Sequence, residues 1–349
     1  MRSISSPLEE SPLTLEELPT PRATGPFDVV VRVAAAGVCR TDLHLLTGEL
    51  PHPLPLVLGH ENAGWVHEVG SEVTSVEIGD AVLCYPFVNS GLSTPERAGL
   101  DSGAPNRRTP GITVDGGYAE FLMTNERSML PLPRDADLAS LAILTDAGLA
   151  AYRACKRAAS MLKPGDTATV IGIGGLGHLA VQILRALSPA RVVAVDPNPA
   201  ARELGLGSGA HAVISPDDFA HQPPGTARAV LDFVGLDDTS ANGIRALEFG
   251  GTYFAIGVGG TVSLPLAELV EDEKTICGVY VGTYTDLLEV TELAVAGLVR
   301  PHIVRYPLEA ANDALHDLQA GRVLGRAVLE PTRVADPRDD ATPSTAQVR

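Results

Sequence analysis

A glycine-rich turn between two apolar segments is the part of this sequence with the clearest chemical meaning. The β-rich segment Thr167–Ile171 leads into the pattern G-x-G-x-x-G, which a helical pattern and a second apolar segment, Arg191–Val195, follow. We expect the residues of the turn to contact a cofactor: Gly172, Gly174, Gly175, Leu176 and Gly177. Glycines allow a tight turn and a close approach to a pyrophosphate, which N–H groups at the helix start bind. Asp196, 19 residues after Gly177, would accept hydrogen bonds from the adenosine ribose, so the segment predicts dinucleotide binding. A glycine-rich turn in another α/β unit is the alternative.

A cysteine and a histidine in the first part of the chain are candidate metal ligands. Cys39 and His60 are residue types that zinc favours, and Glu61 adds a carboxylate beside the histidine. A catalytic zinc needs three protein ligands and an open position at which it activates a hydroxyl or carbonyl. Because 21 residues separate Cys39 from His60, spacing alone does not show that they meet. A small buried cysteine and a hydrogen-bonded turn histidine are the alternatives.

Composition excludes several classes of protein. The 349 residues, 45% of them apolar, suffice for two globular domains. An excess of 43 acidic over 26 basic residues, a net charge of −17, disfavours binding to nucleic acid or to an anionic membrane. Neither an apolar run of membrane-spanning length nor the h-region of a secretory signal is visible. Widely spaced cysteines predict a reducing, cytoplasmic location, and three of them are expected to be ordinary buried residues: Cys84, Cys155 and Cys277.

The elements that position these residues follow two patterns. Short apolar segments between glycines and prolines predict a β-rich region that contains Val29–Ala36, Trp65–Val69, Ala81–Tyr85 and Tyr118–Thr124. Gly37–His44 is expected to be a polar turn, and residues 89–117 an irregular surface lobe. Strands that alternate with helices then predict a doubly wound parallel sheet.

We predict a dinucleotide-binding domain at residues 152–285, and a catalytic domain formed by residues 1–151 and 286–331. Within the first of these, Thr275–Val281 lacks polar alternation, which is typical of a strand covered on both faces. The charged, aperiodic residues 332–349 predict a disordered tail.

The segments GVCRTDLH, GHENAGWV, GDAV and VIGIGGLGH follow one another in this order and spacing. Together they resemble the medium-chain zinc-dependent alcohol dehydrogenase family over roughly residues 13–330, and the first, second and fourth are specific. The resemblance implies an α/β fold with a doubly wound parallel (Rossmann) sheet and a β-rich GroES-like catalytic domain. It also implies a zinc-dependent, NAD(H)-linked enzyme that interconverts an alcohol and its ketone or aldehyde by hydride transfer.

The same resemblance implies a set of zinc ligands. Cys39 and His60 match two ligands of the family's catalytic zinc. The third is a cysteine in many members and an aspartate in some, and the segment LTDAGL resembles the second kind, which implies Asp146. A helix N-cap is the alternative role for this aspartate. Glu61 is the usual neighbour of the zinc, which it tunes or coordinates transiently, and Asp42 matches the acid that orients the ligand histidine.

Further residues resemble family positions that move protons or bind phosphate. Thr41 resembles the hydroxyl of a proton relay, and His44 resembles the base at its solvent end, for which a histidine pKa is suitable. A strand-end turn residue and an exposed polar loop residue are the alternatives. Arg40 and Arg326 resemble positions that contact the pyrophosphate, although either is also consistent with a plain surface cation.

The lobe after GDAV departs from the family pattern. Many members hold a second, structural zinc there with four closely spaced cysteines, but Asn89–Pro110 contains none, and Ser90 stands where the first is expected. We therefore predict one catalytic zinc and no structural zinc. Asp196 would repel a 2′-phosphate, and only Arg202 lies near enough in sequence to counter this, so NAD(H) is expected over NADP(H).

Two other functions compete with this prediction. A zinc-free relative would reduce an activated C=C or C=N bond, but such relatives typically lack the ligands that are present here. A nucleotide sensor on a borrowed fold is the non-enzymatic alternative. The expected partners are a small alcohol or carbonyl substrate and other copies of the chain, in a dimer or tetramer, with the edge strand Thr275–Val281 as a candidate contact.

Overall fold

The computed structural model describes residues 2–6 and 12–331, and the predicted disordered tail, 332–349, lies outside them. The strands are β1 (Arg2–Ser6), β2 (Thr14–Glu17), β3 (Asp28–Val38), β4 (Leu56–Val57), β5 (Glu61–Val69), β6 (Ala81–Cys84), β7 (Phe121–Asn125), β8 (Met129–Pro131), β9 (Thr167–Ile171), β10 (Arg191–Val195), β11 (Ala212–Ile214), β12 (Ala227–Asp232), β13 (Leu247–Ala255), β14 (Thr275–Gly278), β15 (Ile303–Pro307) and β16 (Arg326–Glu330). The α-helices are α1 (Arg40–Leu46), α2 (Thr94–Arg97), α3 (Leu138–Ala142), α4 (Ala147–Ala159), α5 (Gly177–Leu187), α6 (Pro199–Gly207), α7 (Pro216–Ala220), α8 (Asp237–Ala246), α9 (Leu266–Glu271), α10 (Tyr284–Val295) and α11 (Ala311–Gln319).

A mainly antiparallel sheet joins early and late parts of the chain. Its strands lie in the order β15-β16-β3-β5-β6-β8, with β7 paired to β3. The central strand β3 is rich in valine and alanine and is largely buried, as suits a strand covered by other elements. Because β16 pairs antiparallel with β3, Arg326 at the start of β16 comes close to residues that follow β3. A smaller antiparallel sheet has the order β2-β1-β4.

The second large sheet is wholly parallel and follows the predicted Rossmann pattern. Its strands lie in the order β11-β10-β9-β12-β13-β14, and each neighbouring pair is parallel. Numbered from β9, this order is 3-2-1-4-5-6, in which ligands bind where the strand order reverses beside the first strand. The glycine-rich turn directly follows that strand. The predicted fold class is therefore confirmed, while the exact domain boundaries stay a prediction.

A bent pair of helices connects the two sheets. The segment Leu138–Thr145 and helix α4 meet at 58°, and Asp146 occupies the break between them. Most residues of α4 are buried, and its apolar face joins the core that continues from the first sheet into the second. Within the described residues, no single helix has the length and apolar character to cross a membrane, although this bent pair passes the same test of length and composition.

One predicted turn is a helix. Gly37–His44 was expected to be a polar turn, but α1 begins at Arg40, directly after Cys39. The Asp42 carboxylate accepts a hydrogen bond from the Cys39 N–H, which caps the start of the helix. The prediction was wrong because the polar residues that suggested a turn are the first turn of a short helix.

The edge strand β14 corrects two further expectations. It is largely exposed rather than covered on both faces, and Ile276 is 39% exposed. Cys277 is only half-buried, whereas Cys84 and Cys155 are buried as expected. β14 is the last strand of this sheet, and the preceding helix α9 has no buried residue, so little of the described chain covers this end of the sheet. All four cysteines are free thiols, and the cytoplasmic location stays a prediction.

Candidate active site

Three predicted metal ligands from distant parts of the chain meet at one point. Cys39 lies between β3 and α1, His60 directly precedes β5, and Asp146 precedes α4. The Cys39 sulfur lies 3.8 Å from Asp146 Oδ2, and His60 Nε2 lies 3.7 Å from the same oxygen. Together with Glu61, these residues offer four ligand atoms within 4.8 Å of one another. The fold thus assembles the donor set, while the role of each residue as a ligand stays a prediction.

The arrangement fits a tetrahedral zinc ion. Zn–S distances of about 2.3 Å and Zn–N or Zn–O distances of about 2.0–2.2 Å separate neighbouring donor atoms by roughly 3.4–3.6 Å. The two measured separations are only slightly longer. In addition, His60 Nε2 is buried without a hydrogen-bond partner among the described residues, although buried polar atoms are normally paired. A cation between these donors would satisfy this nitrogen.

Asp42 lies on the other side of the His60 ring. Its Oδ1 is 3.4 Å from His60 Nδ1, and both residues are buried. Burial by itself lowers the pKa of His60, but the negative charges of Asp42 and Cys39 raise it well above its ordinary value. The same electronegative surroundings favour a metal cation at the other ring nitrogen.

Glu61 forms a buried ion pair with Arg326. The Arg326 guanidinium donates to both oxygens of the Glu61 carboxylate, with Nε 3.1 Å from Oε2. Burial raises the pKa of Glu61 to about 7, against the opposing charge of Arg326. A Cβ at Gly37 would lie only 1.9 Å from Glu61 Oε2, so only glycine leaves room for the carboxylate. Glu61 also accepts a hydrogen bond from Ala147 N at the start of α4, whereas the Asp146 side chain makes no capping bond there.

Arg326 connects the predicted metal ligands with the glycine-rich turn. It is 4% exposed, so the alternative of a plain surface cation is wrong. Its guanidinium is 3.9 Å from Asp146 Oδ2, and its Nη1 would lie 2.8 Å from a Cβ placed on Gly175. The predicted contact with a pyrophosphate stays a prediction, and this position beside the turn is compatible with it.

The predicted proton relay starts beside the cysteine. Thr41 Oγ1 lies 3.4 Å from the Cys39 sulfur on the first turn of α1. Further along this helix, His44 is partly exposed, and its Nδ1 lies 2.6 Å from Glu49 Oε2. Sequence reasoning missed Glu49, which stands in a loop without a motif. Arg40 is exposed at the start of the helix, and its contact with a cofactor stays a prediction.

The glycine-rich turn leaves an open face toward a ligand. Gly172 has a φ of +86°, and a Cβ at Gly177 would lie 1.8 Å from Gly172 O, so both positions need glycine. A Cβ at Gly174 would meet nothing within 4 Å. Asp196 accepts hydrogen bonds from Ile173 N and Asn198 N, each 2.8 Å long, which hold its carboxylate at the end of β10. Space and polar groups are thus present where the sequence predicts a pyrophosphate and a ribose.

His178 is a residue of this region that sequence reasoning missed. It is fully buried, donates from Nδ1 to Gly174 O over 2.8 Å and accepts a hydrogen bond from His302 N at Nε2 over 3.0 Å. Burial lowers the pKa of His178 to about 4. The neutral ring thus joins the glycine-rich turn to the segment before β15. Its position directly after the glycine motif was the available signal.

We expect His178 to make the protein less stable at low pH. The unfolded chain binds a proton here below about pH 6.5, while the folded chain resists it until about pH 4. The neutral His178 ring therefore contributes roughly 3 kcal/mol to the free energy of unfolding above pH 6.5, and this contribution is lost as the pH falls from 6.5 to 4. The free energy of unfolding, measured by denaturant titration across this range, should depend less on pH in His178→Gln than in wild type. Equal slopes would contradict the assignment.

Hydrogen bonds hold residues 89–110, the first part of the lobe. Glu96 accepts hydrogen bonds from Gly91 N and Ser93 N over 2.7 and 2.8 Å. Hydrogen bonds from Ser93 and Gly91 lower the pKa of Glu96 to about 2. Asn89 donates to Asp101 O in the middle of this segment and accepts a hydrogen bond from Arg108 N–H near its end. These carboxylate and amide contacts order a segment in which the sequence has no cysteine.

Comparison with known proteins agrees with this geometry. Residues 25–134 match the alcohol dehydrogenase GroES-like domain, and residues 175–296 match the zinc-binding dehydrogenase domain. A NAD-dependent alcohol dehydrogenase of Sulfolobus acidocaldarius is 35% identical, over 92% of this chain and 97% of that protein. The alcohol dehydrogenase of Aeropyrum pernix has a TM-score of 0.90 at 38% identity, over 95% of this chain and all of that one. The cobalt- and zinc-bound alcohol dehydrogenase of Pyrobaculum aerophilum has a TM-score of 0.87 at 30% identity, over 95% of this chain and 99% of that one.

These matches extend over nearly the whole chain and include both large sheets. They agree with the four sequence segments and with the assembled donor atoms. The chain therefore belongs to the zinc-dependent medium-chain alcohol dehydrogenase family, and it is an NAD(H)-linked oxidoreductase that interconverts alcohols with their ketones or aldehydes.

Proposed function

We propose that Cys39, His60 and Asp146 hold one catalytic zinc, at which a small alcohol or carbonyl compound reacts with NAD(H). The observation that carries the proposal is the buried, unpaired His60 Nε2, which faces the Asp146 carboxylate 3.7 Å away with the Cys39 sulfur beside it. When bound, zinc polarises a substrate oxygen and lowers the pKa of a hydroxyl group there. Glu61 lies next to these donors, and Arg326 balances its charge.

The proton that leaves an alcohol needs a route out of this buried site. In our proposal the Thr41 hydroxyl, beside the Cys39 sulfur, accepts the proton and passes it toward His44. His44 is partly exposed, and Glu49 orients its ring through Nδ1, which leaves Nε2 free to exchange protons with solvent. In the opposite direction, the same groups deliver a proton to the carbonyl oxygen.

We further propose that each chain binds a single zinc. The four residues of the assembled donor set are the candidate metal group among the described residues, and the lobe at 89–110 is ordered by Glu96 and Asn89. A second, structural zinc in that lobe would need cysteine or histidine ligands, and residues 89–110 contain neither.

A panel of primary, secondary and cyclic alcohols and of ketones, assayed with NAD(H), tests the function. We expect turnover that a chelator removes and added zinc restores, and metal analysis should find about one zinc per chain. Turnover of activated C=C or C=N bonds by zinc-free protein would support the alternative reductase. No turnover despite bound zinc would contradict the proposed activity.

Asp196 is proposed to select NAD(H) over NADP(H). Its carboxylate still has lone pairs for a ribose hydroxyl, while its charge repels a 2′-phosphate. Arg202 Nη1 donates to the backbone carbonyls of Asp196 and Pro197, so a guanidinium lies next to this position, and we expect it to donate to a 2′-phosphate once the repulsion is removed. We expect Asp196→Ala to raise the KM for NAD about tenfold. The ratio of kcat/KM for NAD to kcat/KM for NADP should become smaller, as steady-state kinetics with both cofactors would measure.

Asp196→Asn is the matched control because it keeps an oxygen that accepts from Ile173 N but removes the charge. This variant should use NADP better than wild type does. Its KM for NAD should rise less than in the alanine variant. Unchanged kinetics with both cofactors in both variants would contradict the assignment.

We propose that β14 mediates the association of chains into a dimer or tetramer. This edge strand is exposed, and apolar residues of the neighbouring α9 are exposed beside it: Leu266 is 75% and Val270 is 71% exposed. An unpaired edge with apolar surroundings favours strand pairing across a two-fold axis. Ile276→Lys should lower the particle mass in analytical ultracentrifugation toward the 36.4 kDa of one chain, while Leu206→Lys, an exposed position on α6, should leave it unchanged. A particle mass that Ile276→Lys leaves unchanged would exclude the edge of β14 as the contact between chains.

A further inference from the structure

Tyr118 is buried close to the segment that carries the predicted metal ligand His60. It follows the glycine pair that ends the lobe, and its ring is fully buried. The hydroxyl donates a hydrogen bond to Asp42 Oδ2 over 2.7 Å. Burial and the charge of Asp42 raise the pKa of Tyr118 well above its ordinary value, so the hydroxyl keeps its proton as a donor.

The two oxygens of Asp42 have different surroundings. Oδ2 accepts two hydrogen bonds, from Tyr118 and from the Cys39 N–H. Oδ1 has no hydrogen-bond partner among the described residues and points to His60 Nδ1 at 3.4 Å. Two donors thus hold one oxygen so that the other faces the histidine, since a carboxylate is planar and the position of one oxygen sets that of the other.

The backbone of Tyr118 also supports the segment that carries His60. Tyr118 N–H donates to Leu58 O over 2.8 Å. Gly59 has a φ of +96°, and a Cβ there would lie 2.4 Å from the Tyr118 ring, so the ring packs directly on this backbone. Tyr118 therefore constrains His60 in two ways. It packs on the backbone of Leu58 and Gly59, which precede the histidine, and it holds the Asp42 carboxylate that faces the His60 ring.

We propose that Tyr118 is a positioning residue that acts through Asp42 to aim His60 Nε2 at the metal. This inference rests on the proposed role of Cys39, His60 and Asp146 as zinc ligands. Removing a partner outside the ligands of a metal typically weakens metal binding by about 10- to 100-fold. Because Asp42 keeps its bond from Cys39 N–H, we expect the lower end of this range for loss of the tyrosine hydroxyl alone.

Tyr118→Phe removes that hydroxyl and keeps the ring. The chain offers a matched control in Tyr253, which is 1% exposed and donates to Oδ2 of the buried Asp232 over the same 2.7 Å. Tyr253→Phe thus removes an equivalent hydrogen bond from the parallel sheet. The measurement is the rate at which zinc passes from the full-length loaded protein to a chromogenic chelator, together with the absorption bands of the cobalt-substituted protein, which report ligand geometry.

We expect Tyr118→Phe to release zinc about tenfold faster than wild type and to shift the cobalt bands, while Tyr253→Phe stays within about twofold of wild type. Equal rates of zinc release from the two variants would overturn the positioning role. Two fast rates would indicate general destabilisation, and two rates like that of wild type would mean that the Tyr118 hydroxyl does not affect the metal. Zinc content tests the underlying function separately. If wild type binds no zinc, or Cys39→Ser keeps it fully, the ligand assignment fails, whatever the tyrosine variants do.

Discussion

Replacement of Cys39 by serine is expected to abolish turnover and zinc binding together. A serine hydroxyl stays protonated near neutral pH, so it cannot replace the thiolate beside Asp146 Oδ2 and His60 Nε2. We expect kcat/KM to fall by at least about 1,000-fold, which corresponds to roughly 4 kcal/mol of lost transition-state stabilisation. His60→Ala should have a similar effect. Metal analysis and steady-state kinetics on the same preparations check both expectations.

Cys155→Ser provides the control for this experiment. Cys155 is buried like Cys39, but it lies in the hydrophobic core, where its thiol donates to the Ala180 carbonyl within α5. This variant should keep its zinc and its activity apart from a modest loss of stability. Full activity or an undiminished zinc content in Cys39→Ser would end the proposed ligand role of this cysteine.

Arg326→Met is expected to destabilise the protein by about 3–5 kcal/mol, because it leaves the buried Glu61 carboxylate without its positively charged partner. Trp65, the one tryptophan of the chain, lies on β5 together with Glu61 and reports the unfolding of their sheet. Denaturant unfolding followed by tryptophan fluorescence therefore measures the effect. The same variant should also weaken NAD binding if the guanidinium contacts the pyrophosphate as predicted.

A double-mutant cycle with Glu61→Gln separates charge from shape. Once the carboxylate is replaced by a neutral amide, Arg326→Met should lower the free energy of unfolding much less, since the substitution then leaves no buried carboxylate charge unpaired. Arg305 is a control on the adjacent strand β15, where its exposed side chain pairs with Glu330 and Asp137. Arg305→Met should cost about 1 kcal/mol or less because solvent screens this pair. If Arg326→Met cost the same in wild type as in the Glu61→Gln variant, the ion pair would not be the cause.

Local patterns in the sequence were sufficient to predict the parallel sheet and a β-rich region, while the GroES-like form of the catalytic domain was implied by the family resemblance. β9 and β10 were predicted with their observed bounds, because continuous apolar, β-branched residues suit strands covered on both faces. The alternation of strands and helices predicted the parallel sheet, and the glycine motif predicted the turn after β9. The prediction of a polar turn at Gly37–His44 was wrong for a local reason, because the Asp42 carboxylate caps the start of the short helix α1. β14 was predicted at the sheet edge, where it lies, but its apolar composition wrongly suggested that both of its faces are covered.

The chemistry of the site was visible in the sequence only as residue types and as a likeness to a family. Cys39, His60, Glu61 and Asp146 could be named, but their meeting depends on how β3, β5 and α4 pack. The contacts that support them were not predictable. Glu61 and Arg326 are 265 residues apart, His178 and His302 are 124 apart, and Tyr118 and Asp42 are 76 apart.

The sequence by itself therefore determined the fold class, the cofactor turn and a set of candidate ligands, because each depends on neighbouring residues or on a short motif. Only the tertiary structure decided which oxygen of Asp42 faces His60, which carboxylate Arg326 pairs with and how far the faces of β14 are exposed. The physical reason is that buried polar groups must find partners in space, and the sequence separation of two residues does not determine that distance.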